Sequence, residues 1–439
     1  MRIAVIGGGP AGMMAAYAAA LRGAEVILIE QNEKLGKKLY ITGKGRCNLT
    51  NACETEDFFG QVVSNPKFLY SSIYGFPADA VTDFFEKCGC RLKTERGGRV
   101  FPQSDHASDV IRAMERALKE AGVKLRLKTK LKDIITEETK DASPARHIAG
   151  IRICGVEPQS GKGSGTYREA EKAETLAVDT VILAGGGRSY PATGADGSTL
   201  MMAQGLGHTV KDPYPALVPL NVKEPQCAAM QGLALKNVSV TLGVGKKKIY
   251  AGFGEMLFTH FGVSGPLILS ASSLYGRKYA GQEAKLAIDL KPALSEEQLD
   301  ERLQRDFSEN LNKEFHSILR GLVPGKLAEL MPVFCGIPAD KKIHDITKEE
   351  RLRLRDTLKG LCFTVTGTRG FEEAIITGGG VSVKEIDPST LQSKLIPGLY
   401  FAGEMIDVDA FTGGFNLQIA WSTGRLAGSS AAEGSAKEG

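Results

Sequence analysis

Residues 43–51, GKGRCNLTN, set a thiol (Cys47) between a guanidinium (Arg46) and a carboxamide (Asn48), with Lys44 and Asn51 on either side. A cysteine of ordinary pKa, about 8.5, is mostly protonated at neutral pH and can deliver a proton to carbon. Neighbouring cations oppose that role because they favour the thiolate. The same cations can hold phosphates, and the two asparagines can hydrogen-bond carbonyl groups. The segment has no helical or strand period, and its glycines mark a turn. A packing thiol and a redox thiol stay open as alternatives. Tyr40, Tyr190 and His260 are further candidate acids, although a lone histidine is more often a satisfied structural residue.

A loop of this kind needs elements to position it. Residues 2–6, RIAVI, form an apolar run of the type that makes a buried parallel strand. GGGPAG follows, then a small-residue helix to about Leu21, then EVILIE ending in Glu30. Gly7, Gly9 and Gly12 stand in G-x-G-x-x-G register. The first permits a tight turn, the second lets backbone amides approach a pyrophosphate, and the third lets the helix pack on the sheet. The helix N-terminus adds positive potential. Glu30 can accept hydrogen bonds from a ribose diol. This spacing predicts an adenine dinucleotide, NAD or FAD.

The distant C-terminus chooses between them. Residues 396–428 read as a strand (Leu399–Ala402), an acidic turn (Gly403, Glu404), a glycine pair (Gly413, Gly414) and a helix from about Asn416. A helix N-terminus at that place suits the negative charge of a reduced flavin, which favours FAD. A third strand, Val181–Ala184, runs into Gly185 and Gly186 without a following helix, so it is not a second dinucleotide site.

The 439 residues are enough for two or three domains. Hydrophobic content of 42% and charged content of 24% exclude wholesale disorder, and a net charge of +4 does not by itself imply a polyanionic partner. The eight cysteines have neither zinc nor thioredoxin spacing, and Cys88-Gly-Cys90 is read as incidental. A reducing cytoplasm fits, with no membrane span and no metal expected. Residues 65–88 and 104–121 are predicted helical. VKLRLKTKLKD (123–133) alternates strictly and predicts one strand, with Lys124, Arg126, Lys128, Lys130 and Lys132 on one face and Leu125, Leu127 and Leu131 on the other. Residues 157–173 predict a mobile hairpin tip. Residues 214–291 hold short β-rich runs, and 295–360 are charged and helix-periodic.

With these motifs assembled, the chain resembles the BaiN/RdsA-like bacterial FAD-dependent oxidoreductases, a group of NAD(P)/FAD-dependent, aminoacetone-oxidase-like flavoproteins. The resemblance is carried by IGGGPAG (6–12), KLGKKLYITGKGRCNLTN (34–51), LAGGGRSYPATGADG (183–197), FTHFGVSGP (258–266), ITGGGV (376–381) and GEMIDVDAFTGGFNLQIAWSTG (403–424). It implies an α/β architecture: a Rossmann-type, glutathione-reductase-like FAD-binding domain (1–195 and 376–439), an inserted β-barrel-like substrate domain (196–292 and 361–375) and a small helical domain (293–360). The implied cofactor-binding set is Gly7, Gly9, Pro10, Ala11, Gly12, Glu30, Lys38, Gly45, Arg46, Ala184, Gly185, Gly186, Gly403, Glu404, Gly413, Gly414, Phe415, Asn416 and Leu417. Cys47, as general acid, leads the catalytic candidates, with Arg46, Asn48 and His260.

Activities linked to the family are C=C reduction in bile-acid enones, amine oxidation and, in one branch, reduction of a uridine in 23S ribosomal RNA to dihydrouridine. Reduction of an activated C=C bond takes a hydride from flavin N5 and a proton from a nearby acid, with NADPH or NADH as a transient electron donor. The RNA reading is preferred here, a small-molecule flavoenzyme being the alternative. It draws on the basic run 124–132, the lysines 246–248, and Lys34, Lys37, Lys38, Lys44 and Arg46.

Overall fold

The computed structural model describes residues 1–138, 146–158 and 167–434. The opening residues fold as strand β1 (Arg2–Ile6), helix α1 (Pro10–Ala20) and strand β2 (Glu25–Ile29). Strands β3 (Lys124–Arg126), β4 (Thr180–Leu183) and β5 (Leu399–Phe401) complete a five-stranded parallel sheet ordered β5–β4–β1–β2–β3. All of β4 and β5, and β1 and β2 after their first residue, are buried, as parallel strands covered on both faces must be. This is the Rossmann-type FAD-binding fold that the sequence predicts.

The two ends of the chain meet through small residues. A Cβ on Gly424 would lie 2.3 Å from the carbonyl oxygen of Ala11, and one on Gly428 would lie 2.1 Å from that of Ala15. Only glycine there lets the C-terminal helix α4 (Phe415–Glu433) press its backbone onto α1. Between them in sequence come the short helix α2 (Lys37–Ile41) and the amphipathic α3 (Ala107–Glu120).

Several local expectations are corrected. The helix expected over 104–121 starts only at Ala107, because Asp105 sits in the left-handed region (φ 60°). Residues 65–88 form a 3₁₀ turn and two helices, Tyr70–Gly75 and Ala78–Lys87, separated at Pro77. Helices usually end before a proline, which disfavours helical backbone in the residue preceding it. The run 123–133 is not one strand: Lys128 adopts φ 50°, and β3 ends at Arg126 while a separate antiparallel strand begins at Thr129. Leu125, expected on the apolar face, is 42% exposed. The paired strands Arg146–Pro158 and Tyr167–Ala177 extend the hairpin beyond what was expected, and its tip at 159–166 lies outside the described residues.

The chain separates into two compact units, Met1–Pro215 with Phe371–Gly439, and Ala216–Gly370. Strand Val210–Ala216 forms a two-stranded sheet with Ile376–Val381, which ties most of it to the first unit. The partition therefore falls near 215 and 370, where the sequence suggested 195 and 375.

The second unit is a closed six-stranded barrel, ordered Leu220–Val222, Gly262–Ser264, Lys247–Phe258, Ala234–Val244, Ala284–Asp289 and Leu361–Thr368. Its helical segment does not have a core of its own. Leu299, Leu303, Leu354 and Leu358 are fully buried in one cluster with the barrel residues Leu286, Ile288 and Phe363. Capping boxes at Ser295/Gln298 and Thr347/Glu350 start two of these helices. Among the described residues, no helix is long and apolar enough to cross a membrane.

Candidate cofactor and active site

The glycines of the first turn divide by what surrounds them. Gly7 (φ 108°) has no room for a side chain, since its Cβ would lie 2.4 Å from the Ala184 carbonyl oxygen. Gly12 is tighter still, at 1.9 Å from the Gly7 carbonyl. Gly9 has ordinary extended backbone (φ −81°) and nothing within 4 Å of its would-be Cβ. Packing therefore explains Gly7 and Gly12 but not Gly9, which faces open space at the start of α1. Pro10 occupies the first turn, and the amides of Ala11 and Gly12 are among the donors a helix N-terminus leaves unpaired.

Glu30 is buried at the end of β2. Its carboxylate accepts from the amide of Gly8 (2.6 Å) and from the backbone and side-chain nitrogens of Asn32 (2.8 and 2.7 Å). Burial raises its pKa, against the pull of those hydrogen bonds. Ala184 and Gly185 back the first turn, and Gly186 (φ 78°) faces open space.

The Gly403 turn and the middle of α4 both pack against Ala11. Gly403 (φ 66°) places its would-be Cβ 2.6 Å from the Ala11 side chain, and the Ala11 carbonyl also meets Gly424 of α4. Gly413 (φ 136°) and Gly414 (φ 101°) precede α4, whose first amides, from Phe415, Asn416 and Leu417, lack helical acceptors. The Phe415 ring packs on Phe58 at 5.7 Å. Asn416 uses its side chain internally, accepting from the Ala410 amide (2.9 Å) and donating to its carbonyl (2.7 Å).

The GKGRCNLTN segment is clamped to α4. Trp421 Nε1 donates to the Leu49 carbonyl at 3.1 Å, and Thr50 Oγ1 donates to Gln418 at 2.5 Å. Asn51 gives its side-chain amide to the carbonyls of Gly413 and Gly97, both at 3.0 Å, so it is a backbone tie and not the carbonyl-binding group expected. Thr50, Gln418 and Trp421 lie in the resembling motifs but were given no role, because each partner lies more than 360 positions away.

Arg46 is held by protein partners. Its guanidinium is held by Glu95 (2.5 Å) and Asp105 (2.6 Å) and lies over the Phe101 ring at 4.1 Å. The hydrogen bonds it donates to both carboxylates raise its pKa.

Burial reverses the expected depression of the Cys47 pKa. Cys47 is 0% exposed in the left-handed region (φ 61°), and burial pushes its thiol up to about 12. Asn48 is half-buried, and its Oδ1 is buried without a hydrogen-bond partner among the described residues. Gly45 (φ 84°) shapes the turn; the Lys44 side chain lies outside what is described.

Lys38 and Glu404 form a pair at 2.7 Å. Ser189 Oγ (2.9 Å) and the Thr377 amide (2.5 Å) also donate to Glu404. Burial would raise the Glu404 pKa, but the Lys38 charge and these donors outweigh it and hold the carboxyl below its usual range. Both side chains, expected to touch cofactor, thus join four chain segments, those of Lys38, Ser189, Thr377 and Glu404. Ser189 and Thr377 lie in the quoted motifs 183–197 and 376–381 but were given no role.

The remaining candidates separate. Tyr40 is exposed beneath Lys34 (5.2 Å), and Tyr190 is half-buried with φ 52°. His260 belongs to the other unit, where it is exposed against Phe261.

Four of the five cations of the basic run meet carboxylates among the described residues. Lys124 pairs with Glu25 (2.8 Å), Arg126 with Glu174 (3.1 Å), Lys130 with Asp196 (3.1 Å) and Lys132 with Glu169.

Comparison with known proteins agrees with this architecture. Residues 1–430 match the family described as HI0933-like protein Rossmann domain. The chain is 33% identical to a 3-dehydro-bile acid delta(4,6)-reductase of Clostridium scindens, over 98% of this chain and 99% of the relative. It is 28% identical to a ribosomal RNA dihydrouridine synthase of Haemophilus influenzae, over 95% of each. A solved 3-ketosteroid delta1-dehydrogenase from Sterolibacterium denitrificans shares the fold at 14% identity, with a TM-score of 0.53 over 98% of this chain and 99% of that one.

Proposed function

This chain belongs to the HI0933-like Rossmann family of FAD-dependent oxidoreductases, and we propose that it reduces a carbon–carbon double bond conjugated to a carbonyl, with a uridine of 23S ribosomal RNA as substrate. The observation that carries the cofactor reading is the open space at Gly9, at the N-terminus of α1, with the Gly403 turn closed onto the neighbouring Ala11 side chain. Backbone amides of Ala11 and Gly12 would hold the pyrophosphate, Glu30 a ribose, and the N-terminus of α4 with Gly413 and Gly414 the ring system. FAD, when bound, supplies the hydride, and NADPH or NADH would replenish it.

This chain's own contribution is positioning. The Asn48 Oδ1 is an acceptor in search of an N–H, and both a uracil and an isoalloxazine carry an imide N–H. Arg46, through Glu95 and Asp105, fixes the turn that presents it. The Cys47 thiol stays protonated at physiological pH, and in this conformation it is a packing group; donating a proton would require the loop to open.

The names of both relatives describe saturation of an unsaturated substrate, a bile acid in one and a uridine in the other. The exposed lysines 246–248 favour RNA for this chain. Nucleoside mass spectrometry of ribosomal RNA from a deletion strain tests the reading, which predicts loss of one 23S dihydrouridine. A deletion strain that keeps it ends the RNA assignment. A second reading, a small-molecule enone reductase, is favoured by the carboxylate pairing of the 124–132 cations. It predicts NAD(P)H-dependent reduction of a 3-oxo-Δ4 steroid by the purified flavoprotein.

A further inference from the structure

Resting on the ribosomal RNA reading, we propose that the outer face of the barrel, between the lysines of one hairpin and Phe253, is a docking platform for single-stranded RNA. Strand Ala234–Val244 lies between Lys247–Phe258 and Ala284–Asp289, and its residues alternate in and out. Val240 and Leu242, with Leu286 and Ile288 beside them, are 0% exposed and fill the barrel. Their neighbours face outward. Thr241 stands in register with Ala251 and Ala287, all small. One row toward the hairpin, Gly243 lies between Lys248 and Lys285, both exposed. One row the other way, Ser239 pairs with Phe253.

Phe253 is the feature that packing does not explain. It is a large apolar ring and is 64% exposed. The lysines at the turn, 246–248, are also exposed, and no carboxylate pairs with them among the described residues. That separates them from the neutralised cations of 124–132. The acid nearest Phe253 in register, Asp289, is taken by Lys359 at 2.6 Å, while Glu255 lies beyond Phe253 and bounds the platform.

An exposed ring stacks any base, lysines neutralise phosphates, and a floor of small side chains lets a strand lie flat. From Lys248 to Phe253 is about 15 Å of strand, within reach of the ~4-nucleotide sites that small barrels bind.

The experiment uses the full-length, flavin-loaded protein and a labelled uridine-rich RNA 12-mer, with anisotropy read across a salt series. Replacing Lys246, Lys247 and Lys248 together by Ala is expected to weaken binding at least tenfold at low salt and to reduce the salt slope by about 2. Phe253→Ala is expected to weaken binding roughly 5- to 100-fold with the slope unchanged, and Phe253→Tyr to restore it. Flavin absorbance and melting temperature should match the parent in all three. If the variants bind as the parent does while the parent installs dihydrouridine, the platform is wrong and the substrate assignment stands. If Phe253→Ala instead dissociates a dimer and leaves RNA binding intact, the face is an interface between copies and the platform is again wrong. A parent that neither binds RNA nor forms dihydrouridine overturns the substrate reading, and the platform with it.

Discussion

A Cβ on Gly414 would lie 2.4 Å from the carbonyl oxygen of Thr50, so the start of the C-terminal helix and the NLTN segment are in backbone contact. Gly414 also has φ 101°, where a side chain is strained whatever the space. Gly414→Ala is therefore expected to separate the two segments. Flavin content of the purified protein should fall several-fold, with a stability loss of about 1–3 kcal/mol by denaturant unfolding. Full flavin content in this variant would show that the contact does not shape the site.

Gly9 and Gly12 should respond oppositely to alanine. At Gly12 the new methyl meets the Gly7 carbonyl, and overpacking is expected to cost about 1–3 kcal/mol. At Gly9 the methyl meets nothing in the protein, so melting of the apoprotein should be unchanged, while FAD affinity drops roughly tenfold or more through lost approach to phosphate. Flavin titration of both apoproteins checks the pair. Undiminished affinity in Gly9→Ala would place the pyrophosphate elsewhere.

Cys47 makes a pH-dependent contribution whose sign is fixed by burial. Its folded pKa, about 12, exceeds the ordinary thiol value near 9. The neutral thiol therefore stabilises the fold fully below pH 9, and that contribution is lost as pH rises through 9 toward 12. Unfolding of wild type and Cys47→Ala compared from pH 8 to 11 should show the difference shrinking. The native thiol should also resist iodoacetamide at pH 8. If Cys47→Ala abolishes turnover while keeping flavin and stability, the thiol is the proton donor after all.

Arg46→Lys tests anchoring against phosphate binding. Lysine cannot reproduce the fork that meets Glu95 and Asp105 together, so melting should fall by several degrees with FAD affinity within about twofold of the parent. Loss of FAD with melting unchanged would return Arg46 to the cofactor.

Glu404→Gln leaves Lys38 without its partner and is expected to cost about 3 kcal/mol at pH 7. The Glu404 pKa lies below its ordinary 4.5, so its contribution is present above pH 4.5 and lost as pH falls through the folded value. Wild type and variant should converge in stability under acid conditions. A difference that stays constant down to pH 3 would assign the effect to packing.

What the sequence settled by itself was local. The strand, glycine turn, helix and second strand of residues 2–30 were legible because each rests on neighbours a few positions away: glycines that only one turn can use, and apolar runs that only a covered strand can bury. The role of the C-terminal segment beside the first turn was expected from Gly403, Glu404 and the glycine pair Gly413–Gly414, whereas the backbone contacts at Gly424 and Gly428 emerged only in the structure. The tertiary structure decided the fate of charged and polar side chains. Arg46 could not be assigned without knowing that Glu95 and Asp105 stand beside it, and the direction of the Cys47 shift could not be read without knowing that its thiol is buried. The lysines of 124–132 looked like a cationic strip until Lys128 broke the strand and four carboxylates, three of them at positions 169, 174 and 196, closed over it. Backbone preference acts over a few residues, whereas the energy of a charge depends on whatever folding brings within a few ångströms.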